Sequence, residues 1–318
     1  MMSLQVYIVA VVRSLRLSGK RPESWQDERM HRSYSSADFP AGRVQSAKRG
    51  RRVSVCIPAR DEAETIGDIV TRIRVDLMEK APVVDEIVVM DDGSTDSTAA
   101  LAAAAGAVVC ATDSVLPDYP SLGKGQAMWK GVHSATGDVI VFCDGDIRDF
   151  DSGFVLGLAG PLLVRDDVVF VKGFYVRDGG RVTELVARPL ISLFFPHLAD
   201  LAQPLSGECA AYRHVLEAIP FAGDYGVDLA LLIDITARYG NTGLVQCDLG
   251  ERVHRNRPLD QLGPQALAIM QVAMERAGVT DDEFPWDASL IRPGMDPVGV
   301  RYRELPPLDE VPAHRKTA

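Results

Sequence analysis

The sequence predicts an α/β protein with a mainly parallel, doubly wound sheet that carries helices on both faces. Three observations predict this fold class. Short apolar runs recur without polar alternation, which is typical of strands buried on both faces. Segments with apolar residues at helical spacing separate these runs, and such alternation favours parallel strands joined by crossover helices. Acidic residues follow several of the runs, at the sheet edge where ligands of such folds bind.

From residue 53 the predicted elements follow one another regularly. The run "VSVCIP" is a strand, and the next helix carries Ile66, Ile69, Val70 and Ile73 on one face. The following strand and helix pairs are "EIVVMDD" with "STDSTAALAAAAGA", "AVVCAT" with "GKGQAMWKGVHSA", and "DVIVFCDGD" with "GFVLGLAGPLL". Ser, Thr and Asp before the second helix and a Gly at its end are typical helix boundaries.

The second half of the chain predicts a strand in "VVFVKGFY" and three helices. The helices run from Thr183 to about Leu201, through "YGVDLALLIDITARYG", and from about Gly263 to Ala277. The Pro- and Asp-rich tail after Thr280 is predicted to be irregular. Residues 1–50 are predicted to be a partly disordered extension, loosely ordered and folded against the body near Phe39.

Composition limits the function classes. With 47% hydrophobic and 25% charged residues the chain has an ordinary globular profile. The net charge of −10 argues against nucleic-acid binding, which needs a basic surface. The five cysteines form no CxxC pair, which favours free thiols of a reducing compartment. The apolar run from Leu4 to Val12 is too short to span a bilayer, so we expect a cytoplasmic protein without membrane insertion.

Two aspartates close the fourth predicted strand in "FCDGDI". Asp144 and Asp146 could converge on a hard divalent cation, Mg²⁺ or Mn²⁺, since such ions prefer carboxylate oxygens. A cation there would neutralise a diphosphate leaving group. The alternative is a surface Asp-Gly-Asp turn, because this motif recurs by chance in acidic chains. Its position at the end of an apolar strand favours metal binding.

Acidic residues also follow the first two strands, in "IPARDEAETI" and "VMDDGSTDST". Neither stretch contains a glycine-rich dinucleotide fingerprint or a Walker loop, which argues against a dehydrogenase and a P-loop enzyme. Carboxylates at these tips, such as Asp91 and Asp92, could accept hydrogen bonds from a nucleobase imide and from ribose hydroxyls. The alternative is that Asp92, Ser94 and Thr95 only cap the next helix. Both interpretations can hold together.

At these residues the chain resembles the GT-A glycosyltransferases, which use nucleotide sugars. It has their motifs PA-x-x-E, DDGSTD, GKG and DxD in the family's order. The strings "GGRVTELVARPL", "QPLSGE", "YGVDLALLID" and "HRNRPLDQLG" narrow the resemblance to the family of retaining glucosyl- and mannosyl-3-phosphoglycerate synthases, over about residues 50–265. The resemblance implies that residues 51–160 bind the nucleotide sugar, that residues 161–262 bind the acceptor, and that residues 263–318 form a C-terminal helix and tail.

The resemblance also implies roles for individual residues. The residues that match the nucleotide-sugar site are Pro58, Ala59, Arg60, Glu62, Asp92, Lys124 and Asp144. Those that match the acceptor site are Gly180, Arg181, Thr183 and Asn256. Asp146 and His254 match the metal ligands, and Asp144, Asp146 and Asp228 match catalytic positions. Imidazole suits Mg²⁺ less well than oxygen does, so the assignment of His254 depends on the resemblance alone. The family often has Glu at position 228, and Glu208 is a further candidate partner of sugar hydroxyls.

Gly179 and Gly180 stand between a predicted strand and a predicted helix. Free N–H groups at the start of that helix could bind an anion, and Arg181 could add a bidentate, charge-assisted contact. On spacing alone, an ordinary turn with a solvated Arg181 is equally well supported. The resemblance favours a site for phosphoglycerate.

The function implied is metal-dependent transfer of glucose from UDP-glucose to the 2-hydroxyl of 3-phosphoglycerate, by a homodimer. GDP-mannose, or both donors, is the alternative, because Asp92 could accept from uracil N3–H or from guanine N1–H. A sugar nucleotidyltransferase has a related sheet, but it needs a Gly-rich basic loop after the first strand, which "PARDEAET" lacks. A non-catalytic nucleotide-sugar sensor would bind the donor without turnover.

Overall fold

A computed structural model of the chain describes residues 31–120, 123–176, 180–251, 258–280, 284 and 286–315. Its strands are β1 (Arg32–Ser35), β2 (Val53–Ala59), β3 (Glu86–Asp91), β4 (Val108–Ala111), β5 (Val139–Phe142), β6 (Phe170–Val176), β7 (Cys209–Tyr212), β8 (Phe221–Ala222), β9 (Leu244–Glu251), β10 (Asp287–Leu290), β11 (Val298–Arg301) and β12 (Glu304–Leu305). Eight of them form the central sheet, in the order β1-β9-β6-β7-β5-β2-β3-β4. Only β7 runs antiparallel to its neighbours in this sheet. The predicted mainly parallel sheet is confirmed.

The helices follow the strands as the alternating pattern predicts. They are α1 (Ala41–Ala47), α2 (Ile66–Ile73), α3 (Thr98–Ala105), α4 (Lys124–Ser134), α5 (Gly153–Val164), α6 (Arg188–Phe194), α7 (Arg213–Glu217), α8 (Val227–Tyr239), α9 (Leu259–Arg276) and α10 (Pro312–Arg315). Wider π-helical turns continue α2 over Arg74–Lys80 and precede α6 over Thr183–Ala187.

Two apolar clusters cover the two faces of the sheet. One contains the buried side chains of α2 and α5 together with Phe39 and Val44. The other contains most of those of α4, α8 and α9, including the fully buried Trp129. The strands between them are buried almost completely, which explains why their sequences show no polar alternation. All five cysteines are unpaired, and four of them are buried.

The N-terminal extension is more ordered than the sequence predicts, as far as it is described. Residues 32–35 form β1, which pairs with β9 at the edge of the sheet, and α1 follows. Phe39 is 2% exposed and lies against Gly160, as predicted. The polar string "RSYS" carries no apolar signal, so only its pairing with β9 reveals the strand.

The C-terminal segment also differs from the prediction. The tail after Thr280 is not irregular, because β10 and β11 form a hairpin and β12 pairs with β8. Helix α9 begins at Leu259 instead of Gly263. Proline is typical of the first turn of a helix, which favours a start near Gly263, but Pro264 lies inside this helix. The predicted helix up to Leu201 stops at Phe194, because Pro196 pushes the residue before it out of the helical region.

The topology brings several strand ends to one edge. The carboxyl ends of β2, β3, β5 and β6 meet there, and the antiparallel β7 adds its amino end. The loops that follow these strands line the cleft described next. In the described residues, no helix is long and apolar enough to cross a membrane.

Candidate active site

A cleft of about 830 Å³ opens at this edge of the sheet. The candidates Asp91 and Glu208 do not line it. The structure brings together in it all the described residues to which the resemblance gives a role, and these are Pro58, Ala59, Arg60, Glu62, Asp92, Lys124, Asp144, Asp146, Gly180, Arg181, Thr183 and Asp228. Two predicted residues, His254 and Asn256, lie outside the described residues. Residues separated by more than a hundred positions therefore share one cavity, and their roles in binding remain predictions.

Three charged side chains, Lys124, Asp144 and Asp228, form what we call the cleft floor. Lys124 is the first residue of α4, and its Nζ lies 3.0 Å from Asp144 Oδ1 and 3.5 Å from Asp228 Oδ2. Burial acts to lower the pKa of Lys124, but the attraction of Asp144 and Asp228 outweighs it and raises this pKa well above its usual value. The Lys124 ammonium therefore stays charged at neutral pH.

Gly207 sets the position of this ion pair. A Cβ atom at Gly207 would lie 2.1 Å from Asp144 Oδ1, 2.5 Å from Asp144 Oδ2 and 2.5 Å from Lys124 Nζ. The backbone before β7 thus packs directly against the Asp144–Lys124 pair, and a side chain of any size would displace it.

Asp92 and its neighbours form the corner that the sequence assigns to the nucleobase. Thr112 Oγ1 donates a hydrogen bond of 3.1 Å to Asp92 Oδ1, and Arg60 Nη1 lies 3.9 Å from Asp92 Oδ2. The adjacent Asp61 has a left-handed backbone with φ of 56°. Its carboxylate accepts from the Thr95 backbone N–H at 2.7 Å, which joins the two strand-end loops. The predicted capping of the next helix by Asp92, Ser94 or Thr95 is wrong, because Ser97 is the N-cap residue of α3 and makes no side-chain capping bond, while Ser94 and Thr95 bond to Asp61.

The side of the cleft that the sequence assigns to the acceptor is formed by Gly180 and the helix that follows it. Gly180 has φ of 93°, a conformation that favours glycine, and helical residues begin at Arg181. The Gly180 carbonyl accepts from the Glu184 N–H at 2.8 Å, as the first bond of this helix. The N–H groups of the first turn have no partner inside the helix, and they suit a phosphate or carboxylate. Arg181 and Thr183 both line the cleft.

The carboxylates of the cleft suit a divalent cation. Mg²⁺ is usually held by one or two carboxylates while substrate phosphates and waters complete its coordination, and Asp144 and Asp146 offer such carboxylates. In the described ranges, no three His, Cys, Asp or Glu side chains converge into a complete metal site. The donor set thus fits an ion shared with a bound diphosphate.

Sequence reasoning missed several residues of the cleft and of its support. Asp224, Tyr225, Leu262, Gln265 and Gly207 line it, among others, and the buried Lys172 lies 3.4 Å from Asp228. The one available signal was a lysine inside the apolar run "VVFVKGFY", which breaks the local pattern. Glu208, a weaker candidate, is fully buried and is not among the residues that line the cleft.

The chain matches the family model of glycosyl transferase family 2 over residues 54–217. It is 43% identical over 261 residues to the glucosyl-3-phosphoglycerate synthase of Mycolicibacterium smegmatis, which covers 78% of this chain and 85% of that protein. The chain belongs to the glucosyl-3-phosphoglycerate synthase family. This confirms the family that the sequence motifs indicate.

Solved structures of the glucosyl-3-phosphoglycerate synthase family agree with the fold. The Mycobacterium tuberculosis enzyme in complex with Mn²⁺, UDP-glucose and phosphoglyceric acid has a TM-score of 0.81 and is 38% identical, covering 88% of this chain and 98% of that one. The same enzyme is known with Mg²⁺ and UDP. The mannosyl-3-phosphoglycerate synthase of Rubrobacter xylanophilus has a TM-score of 0.81 at 35% identity, over 88% of this chain and 97% of that one. The predicted GT-A fold is confirmed.

Proposed function

We propose that this protein transfers glucose from UDP-glucose to the 2-hydroxyl of 3-phosphoglycerate and that it depends on Mg²⁺ or Mn²⁺. One observation carries the proposal: a single cleft joins the acidic end of β5 to the start of the helix at Gly180. The first can hold a diphosphate through a cation, and the second can hold a small anion. The relatives named glucosyl-3-phosphoglycerate synthase support the identity of both substrates.

The protein contributes to the reaction by positioning the substrates and by compensating the negative charge of the diphosphate. When bound, the metal neutralises the negative charge that develops on the departing diphosphate. Asp146, with Asp144 and the predicted His254, would hold it. Lys124 belongs to the cleft floor and lines the cleft, so it provides a fixed ammonium for the same diphosphate. The strand ends are held by backbone hydrogen bonds, such as that from the Asp92 N–H to the Ala59 carbonyl at 2.9 Å, so little reorganisation is needed.

The acceptor is held by Gly180, Arg181 and Thr183, in our proposal. The phosphate and carboxylate of 3-phosphoglycerate bind the backbone N–H groups of the first helical turn and the Arg181 guanidinium. Asn256 would contribute from the segment beyond β9. Fixing both substrates in one cavity makes their reaction effectively unimolecular, which can provide a large part of the rate enhancement.

Retention of anomeric configuration fits a front-face reaction. Asp228 lines the cleft, but it pairs with both Lys124 and Lys172, and this lowers its nucleophilicity. We therefore favour attack of the acceptor hydroxyl from the same face as the leaving diphosphate. In that arrangement an oxygen of the diphosphate takes the hydroxyl proton, so no protein base is required.

Transfer of mannose from GDP-mannose is the second candidate. The likeness to the Rubrobacter xylanophilus mannosyl-3-phosphoglycerate synthase favours it. Asp92 can accept from either base, and Arg60, next to it, can donate to a base carbonyl, O4 of uracil or O6 of guanine. Whether one or both donors are used is a matter for direct assay.

The test is to supply the purified protein with 3-phosphoglycerate, Mg²⁺ and either UDP-glucose or GDP-mannose. We expect glucosyl-3-phosphoglycerate by mass spectrometry, with an axial anomeric bond by NMR. Asp146→Ala should abolish turnover, whereas Asp149→Ala, an exposed residue of the same acidic stretch that does not line the cleft, should not. Pyrophosphate release from UTP and glucose 1-phosphate would instead identify a nucleotidyltransferase, and donor binding without any product would identify a sensor.

We further propose a cytoplasmic homodimer. Met270 on α9 is 40% exposed, whereas the neighbouring Leu267 and Met274 are half-buried, so this helix offers only a narrow apolar strip. Light scattering of the purified protein would determine its oligomeric state.

A further inference from the structure

A second lysine lies beneath the cleft floor. Lys172 stands on β6, in register with Cys209 of β7 and Gln246 of β9, so its strand has neighbours on both sides. Its side chain is 2% exposed, and it is not among the residues that line the cleft. The reaction proposed above makes no use of it.

Burying an ammonium group is costly unless a carboxylate compensates it. Lys172 Nζ lies 3.4 Å from Asp228 Oδ1, and Lys124 Nζ lies 3.5 Å from Asp228 Oδ2. Lys124 in turn lies 3.0 Å from Asp144. Charges of alternating sign therefore run from the interior of the sheet to the cleft, with each Asp228 oxygen facing one lysine.

The two lysines differ in what else they can reach. Lys124 lines the cleft, so the diphosphate of a bound donor competes with Asp144 and Asp228 for its ammonium. Lys172 is shielded by the floor and has no access to the donor. When Lys124 turns toward the diphosphate, Lys172 is the cation that stays with Asp228.

The direction of the Asp228 carboxylate matters because Asp228 lines the cleft. The two lysine contacts are longer than charge-assisted hydrogen bonds usually are, and a carboxylate has about four lone-pair sites. Asp228 thus retains capacity to accept hydrogen bonds from the hydroxyls of a hexosyl group. It can do so only if its carboxylate keeps a fixed direction.

We propose that Lys172 is a positioning residue for hexosyl transfer: it holds the Asp228 carboxylate aimed into the cleft while the donor is bound. Lys172 touches neither substrate and acts through Asp228. This inference rests on the proposed function, since it gives Asp228 a role toward the hexosyl group of the donor.

A purely structural role for Lys172 makes different predictions, and α8 offers a matched control. Asp234, on the same helix as Asp228, pairs with the buried Arg276 at 2.8 and 3.0 Å. Arg276 is not among the residues that line the cleft. Arg276 also pairs with Glu275 and Glu304, whereas Asp228 keeps Lys124 when Lys172 is lost, so Arg276→Met should cost at least as much stability as Lys172→Met. Only Lys172→Met should affect the reaction.

The experiment compares Lys172→Met, Lys172→Arg, Asp228→Asn and the double variant with Arg276→Met. We expect Lys172→Met to lower kcat by about tenfold or more, since the contact of Asp228 with the hexosyl group stabilises the transition state more than the bound donor. It should weaken binding of UDP-glucose in calorimetry and leave the Kd for UDP within about threefold, as only the hexosyl group meets Asp228. Lys172→Arg should recover most of the loss. Arg276→Met should lower Tm but keep kcat near that of the wild type.

The double variant tests whether Lys172 acts through Asp228. Lys172→Met should cost nothing further in an Asp228→Asn background, and this comparison still decides if the single lysine variant does not fold. Wild-type kcat in Lys172→Met, or an equal loss in both backgrounds, would overturn the proposal. Absence of turnover in the wild type would refute the proposed function instead, and the comparison of UDP-glucose with UDP would then decide the role of Lys172.

Discussion

Replacing Gly207 with alanine should disrupt the cleft floor without unfolding the protein. The new methyl carbon would lie 2.1 Å from Asp144 Oδ1 and 2.5 Å from Lys124 Nζ. Non-bonded heavy atoms settle at about 3.5 Å, so the carboxylate must retreat by more than about 1 Å. A displacement of about 1 Å at a reacting centre can cost roughly 100-fold in rate, which corresponds to about 2.7 kcal/mol of activation free energy.

The assay is kcat/KM of purified Gly207→Ala with UDP-glucose, 3-phosphoglycerate and Mg²⁺. We expect a loss of about 100-fold, with a circular dichroism spectrum and a Tm close to those of the wild type. The backbone at Gly207 is not in the left-handed region, so alanine causes no strain of its own.

Gly145, between the two aspartates of the DxD motif, provides the contrast. A methyl group there would meet Glu62 Cγ and the Pro58 carbonyl at 3.5 Å, which is ordinary contact. Gly145→Ala should therefore keep activity within a few-fold, although it lies inside the motif. Full activity in Gly207→Ala, or a larger loss in Gly145→Ala than in Gly207→Ala, would refute this packing argument.

Three further predictions follow from the same structure. Arg181→Ala should raise KM for 3-phosphoglycerate by about 10- to 100-fold, because a charged hydrogen bond contributes about 1.5–3 kcal/mol. The Kd for UDP should stay unchanged. An unaltered KM for 3-phosphoglycerate would contradict the proposed acceptor site. Chelation of the metal with EDTA should remove UDP binding in calorimetry, and persistence of binding would count against an ion shared with the diphosphate. Burial, aided by His31, lowers the pKa of His197 to about 4. The unfolded chain, with a pKa of about 6.5, therefore binds more protons between these values, and the free energy of unfolding should fall by at most about 1.4 kcal/mol per unit as pH drops from 6.5 to 4. Urea titrations should show a weaker fall in His197→Gln, and equal slopes would contradict the assignment.

The strands of the sheet could be predicted because each is an apolar run with a helix after it. What could not be predicted is pairing that depends on distant partners. β7 lies between β5 and β6 and runs against both, and β1 pairs with β9 more than two hundred residues away. Neither feature leaves a periodic pattern in the sequence, since register and direction are set by contacts across the sheet.

The residues of the candidate site likewise fall into those that the sequence could predict and those that it could not. Residues directly after the ends of β2, β3 and β5 could be placed together because parallel strands end at one edge. Gly207 and Lys172 could not, because their importance comes from what lies opposite them: the Asp144–Lys124 pair for one and Asp228 for the other. The motif residues are recognisable because their chemistry suits a ligand, whereas Gly207 and Lys172 matter because they support the motif residues.

An acidic protein that binds two anionic substrates needs a source of positive charge for each of them. Around the floor, two lysines face three carboxylates, namely Lys124 and Lys172 against Asp144, Asp228 and Glu208. Asp146 adds another carboxylate to the cleft. This excess of negative charge repels a free diphosphate and attracts a divalent cation, so the donor should bind only together with its metal. In the proposed acceptor site, 3-phosphoglycerate would instead meet backbone N–H groups and Arg181, on a helix that needs no cation. The two substrates thus draw on independent electrostatic sources within one cavity, and an acidic surface is no obstacle to either.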